Sequence, residues 1–138
     1  MLKKYFWLLG FILILWGGSV FAGYYSCWDI SLADEKYVEF RLEKEFGKNT
    51  VSRVNKIYKY IVVQSTQNST NYDYQISYIS QIMNSLEKNW CYLDQGDLDG
   101  SNYLVWKKLT YQLLWLKLDS YLHFLNTQQF QSWLGIKD

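Results

Sequence analysis

The sequence predicts an all-α protein: a small up-and-down bundle of about four helices, preceded by an amino-terminal apolar signal or anchor helix. Three observations predict it. Apolar residues recur at spacings of three and four through most of the chain, the pattern of helix faces turned toward a core. The chain has no proline and little glycine, and 20% of its residues are aromatic, a folded rather than a disordered composition. Finally, Lys3 and Lys4 are followed by no charged side chain from Tyr5 to Trp28.

That opening sets the compartment. A positive end, an apolar run and the small-residue pattern Val20-Phe21-Ala22 match a signal peptide cut after Ala22. The apolar run is short for a spanning helix, which needs about 20 residues. Counted on to Trp28 the uncharged segment is long enough, so residues 5–28 are also read as a possible retained tether. Both outcomes export the remainder of the chain, because a positive amino end stays in the cytoplasm. The division is 1–22 as signal peptide or anchor and 23–138 as one helical domain. The body is expected in the periplasm or outside the cell, or on the periplasmic side of the inner membrane if the anchor is kept.

A first helix is predicted over 32–46, with Ser31 as N-cap and Gly47 as stop. A second covers 51–67, capped by Thr50, with Val51, Val54, Ile57, Tyr58, Ile61 and Val62 at helical spacing. A polar connector at 67–71 leads to a third, 72–93. There Tyr72, Ile76, Ile79, Met83, Leu86, Trp90 and Leu93 form a heptad seam. Gln75, Ser80, Gln81, Asn84, Ser85 and Lys88 are expected on its opposite face. After a turn-rich loop at 94–102 a fourth helix covers 103–125. It is apolar on most of its circumference, with a narrow polar stripe of Lys107, Thr110, Lys117 and Ser120, so it needs neighbours on more than one side. A short terminal helix is expected beyond it, capped near Thr127, stopped by Gly135 and carrying Phe130, Trp133 and Leu134.

Cys27 and Cys91 are the two cysteines, and both lie beyond the export segment. In an oxidising compartment such a pair reads as one disulfide. Closing that loop stabilises by roughly 4 kcal/mol in the chain-entropy model, an upper-end figure. A redox thiol would want a CxxC spacing or a nearby histidine, and neither occurs.

Catalytic and metal motifs fare poorly. Aligned as an EF-hand, the loop puts Gln95 and Trp106 where carboxylates are needed. His123, the only histidine, has Asp119 four residues before it, enough for a surface pair but one ligand short of a zinc site. Asp94, Asp97 and Asp99, or the stripe Glu35, Glu39 and Glu43, could be offered to a cell-wall hydrolase. Such an enzyme needs two carboxyls across a cleft, one of them in an apolar pocket. There is no GxSxG, HExxH or phosphate loop. No metal or cofactor is expected. Nucleic acid is disfavoured, because the net charge of +1 falls to −1 when Lys3 and Lys4 leave with the leader.

Two surpluses remain. The first helix is rich in acids (Asp34, Glu35, Glu39, Glu43, Glu45), while the second carries Arg53, Lys56 and Lys59 and no acid. Opposite signs could face each other in a hairpin; the charges read first as solvated faces worth little each, with a charged docking surface as the functional alternative. Aromatic residues exceed what a small interior holds, and Trp106, Tyr111, Trp115 and Trp133 are the candidate partner-binding residues. The expectation is a non-enzymatic exported protein that binds another envelope or secreted protein, as an inhibitor, an immunity-type protein or an accessory subunit. A membrane-tethered structural component is the alternative.

Overall fold

The computed structural model describes residues 28–67, 70–96 and 101–135. Within them lie a 3-10 turn, Trp28–Ser31, and four α-helices with no strand: α1 Glu35–Phe46, α2 Lys48–Gln67, α3 Tyr72–Gly96 and α4 Asn102–Leu134. They form a helical bundle. The apolar leader, residues 1–22, lies outside the described residues. Among the described residues no helix is long and apolar enough to cross a membrane.

The helix ends differ from expectation for local reasons. Ser31 does not cap α1, because it closes the 3-10 turn. Asp34 caps instead. Its backbone is extended, at φ −77° and ψ 136°, and its carboxylate accepts from the Tyr37 N–H at 3.2 Å. Gly47 does stop α1, with its own N–H bonded to the Glu43 carbonyl and a φ of 97° that suits only glycine. α2 starts on the very next residue. Thr50 therefore falls inside its first turn and donates its hydroxyl to the Gly47 carbonyl at 2.7 Å rather than accepting as a cap.

Ahead of α3, the Asn71 side chain accepts from the Asp73 N–H at 2.7 Å. Ser101 does the same for α4, accepting from the Leu104 N–H at 3.3 Å. α4 then runs unbroken to Leu134. The separate terminal helix is not formed: Asn126 and Thr127 are exposed, and no glycine or proline interrupts the backbone before Gly135. Gly135 ends α4 at a φ of 75°, its N–H bonded to Gln131 and Ser132 carbonyls.

α4 is the centre of the bundle, packing against the 3-10 turn and all three other helices. Its residues Leu109, Leu113, Leu114, Leu118 and Leu125 are buried. They meet Val38 and Leu42 of α1, Val51, Val54 and Ile61 of α2, and Ile79, Met83 and Leu86 of α3 in one core. Each such side chain contributes about 1.5–3 kcal/mol of apolar burial. α3 and α4 run antiparallel. The Lys108 ammonium lies 5.5 Å from the Trp90 ring centre near one end, and Gln129 donates to Asp73 at 2.7 Å near the other.

Two glutamines are buried, one of them against expectation. Gln75 was expected on the outer face of α3 but is only 6% exposed. It stands four residues before Ile79, so it shares the inward stripe. Gln112 is 8% exposed. Its amide donates 3.2 Å to the carbonyl of Ile30, itself fully buried, and this pins the 3-10 turn to α4.

Candidate functional site

A groove of about 310 Å3 opens between α2, α3 and α4. Helical spacing assembles it. Along α2, Thr50, Arg53, Val54 and Ile57 sit three and four apart; along α4, Trp106, Lys107, Thr110, Tyr111 and Leu114 do the same; Leu86 of α3 completes it. Val54, Leu86 and Leu114 are buried, whereas Ile57 is 49% exposed at the opening. The two threonine hydroxyls donate within their own helices, Thr50 to Gly47 and Thr110 to Lys107 at 2.9 Å. The walls therefore offer a ligand mainly apolar contact.

Among the described residues, the charged side chains lining the groove are Arg53 and Lys107, and both are cations. The Lys107 ammonium stands 5.2 Å from the Tyr103 ring centre. A hydrogen bond to Tyr103 is the first cause holding it above the usual lysine range, so it keeps its charge. Among the described residues no carboxylate, histidine or cysteine lines the groove. The described lining therefore holds neither a general acid–base pair nor a metal-ligand set.

Of the candidate partner-binding residues, the structure brings Trp106 and Tyr111 together in this groove. Trp115 lies elsewhere on α4, half-buried, with its indole N–H enclosed and lacking an acceptor. The Trp90 indole N–H is in the same situation. Trp133 is 71% exposed and stands about 40 Å along α4 from Trp106, with Phe130 also exposed near it. It belongs to a different surface.

The other sequence candidates disperse. His123 and Asp119 form an exposed i, i+4 pair at 3.6 Å. Among the described residues no three His, Cys, Asp or Glu side chains converge as metal ligands. Asp97 and Asp99 lie outside the described residues. Glu35 is paired with Lys117 at 3.3 Å, and Lys117 also lies 5.9 Å from the Tyr58 ring centre, so this one lysine joins α4 to α1 and α2. Cys91 is disulfide-bonded, while Cys27 lies outside the described residues.

Sequence reasoning missed the groove itself. Ile57 and Leu114 looked like ordinary core positions, and nothing local marks them as an opening. It also missed Glu87, whose partly buried carboxyl is pushed above its usual range by that burial. No protein-family model, no curated protein and no solved structure matches the chain.

Proposed function

We propose that this chain is an exported, non-enzymatic binding protein whose partner is another envelope or secreted protein, serving as an inhibitor, an immunity-type protein or an accessory subunit. In this reading residues 1–22 are a leader that delivers an up-and-down helical bundle, and Cys91 pairs with Cys27 to tie the end of α3 to the start of the body. The observation that carries the reading is the groove. It joins two aromatic side chains, Trp106 and Tyr111, to an apolar floor with no catalytic group, and Trp and Tyr in desolvated pockets are the usual anchors of protein interfaces.

The test is affinity capture from envelope extracts with the tagged full chain. Wild type is expected to retain a defined partner, Trp106→Ala to lose at least tenfold in affinity while remaining folded and helical, and Trp133→Ala to behave as wild type. A partner held equally by all three would refute the groove as its site. A second reading, a tethered structural component, draws support from the uncharged segment 5–28. Amino-terminal sequencing separates the two, since Gly23 as first residue means cleavage.

A further inference from the structure

We propose that the segment seated in the α2–α4 groove is an acidic amphipathic stretch of the partner. It places an apolar side chain between Ile57, Trp106 and Tyr111 and lays carboxylates against Arg53, Lys56 and Lys107. This rests on the protein-binding reading above and narrows it to one chemistry.

The first support is unspent charge. α2 carries Lys48, Arg53, Lys56 and Lys59 and no acid. No acid of α1 is ion-paired with them among the described residues. Glu45 is bonded to Arg41 on its own helix, and Glu35 to Lys117 of α4. Among the described residues no ion pair joins α1 to α2. Arg53, Lys56 and Lys59 are left to attract charge from outside the molecule, which steers association and selects partners by sign.

The second support is where the apolar residues lie. On the outer face of α2, Ile57, Tyr60 and Val63 are 49%, 64% and 48% exposed. At 3.6 residues per turn they alternate around the helix with Arg53, Lys56 and Lys59. An occupant matching that face alternates carboxylates with apolar side chains, as an amphipathic helix laid in a groove does.

The third support is shape. The hollow between the helices is concave and takes a protruding side chain, whereas a bilayer surface offers nothing that protrudes. The 3-10 turn, the first described element, packs on another side of α4. Ile30 is held by Gln112, which points roughly 160–200° around α4 from Thr110 and Leu114 of the groove.

The test uses the full chain and three probes: a helical peptide with leucine and phenylalanine at i, i+4 and i+7 and glutamate elsewhere, its lysine twin, and phosphatidylglycerol vesicles. Tryptophan fluorescence and amide chemical shifts report binding. The acidic peptide is expected to shift the Arg53 and Trp106 signals and to bind at least tenfold more tightly than the lysine twin. Raising salt should weaken it, and the double variant Arg53→Glu, Lys56→Glu should reverse the preference at unchanged melting temperature. Equal binding of the twins, or binding of the vesicles alone, overturns the proposal. A captured protein partner held equally by wild type and the charge-reversed double variant overturns the acidic segment but leaves the protein-binding reading standing. Failure of both peptide and partner removes the reading beneath it as well.

Discussion

The first half of α4 and its last turns are built from the same kinds of residue in different surroundings. Between Leu109 and Leu118 the helix is enclosed. Leu113 and Leu118 are fully buried, Gln112 holds the 3-10 turn, and Lys117 reaches both α1 and α2. Among the described residues after Leu125 no apolar side chain is buried, and Phe130, Trp133 and Leu134 are 56%, 71% and 56% exposed. Gln129 still touches Asp73 at the start of α3, and the final turn runs past it. Apolar character alone therefore does not place a residue in the core. Position along the rod relative to its shorter neighbours does.

The largest effect expected in the enclosed half comes from the disulfide at Cys91. Reducing the proposed bridge to Cys27 should lower stability by roughly 4 kcal/mol, read as a drop in melting temperature with reductant. An unchanged melting curve would show that the bridge does not staple this end. Next, Leu113→Ala should cost about 3 kcal/mol by denaturant unfolding, whereas Leu134→Ala should stay within about 0.5 kcal/mol. Comparable losses at the two sites would erase the contrast between the halves.

A smaller effect sharpens the role of the 3-10 turn. Gln112→Ala strands the buried Ile30 carbonyl and should cost about 1–3 kcal/mol, with hydrogen exchange accelerating first around residue 30. The smallest concerns Glu87 on α3, just before Trp90, which meets Lys108 of this half. Burial raises its carboxyl, so the native state disfavours the charged form. The stability it contributes is fully present below the ordinary carboxylate range and is lost as pH rises through the raised native value. Glu87→Gln should therefore raise the melting temperature slightly at pH 7 and leave it unchanged near pH 3. An equal shift at both values would mean that burial of the charge is not the cause.

How much could be read from the sequence depends on the reach of each signal. The seam of α3 was legible because Ile79, Met83, Leu86 and Trp90 keep their period within one helix, and all four are buried. The all-round apolarity of α4 correctly asked for several neighbours. Cap positions were harder. Ser31, Asp34 and Thr50 are all capping residue types, and only the 3-10 turn and the abrupt restart after Gly47 decide among them. Gln75 was misplaced because a polar residue on an inward stripe carries no local mark. The groove was illegible for a deeper reason. Val54, Leu86 and Leu114 come from three helices, and the register between helices is not written in the periodicity of any one of them.

The central place of α4 also sets an order of events. It is the last of the four described helices to leave the ribosome, yet it is the one on which the other three rest. A growing chain that ends before about residue 109 keeps the contacts of α1 with α2 and of α2 with α3 but lacks Leu109, Leu113, Leu114, Leu118 and Leu125, the side chains that join all three into one core. Full closure of the first three helices is therefore expected only after α4 has been made.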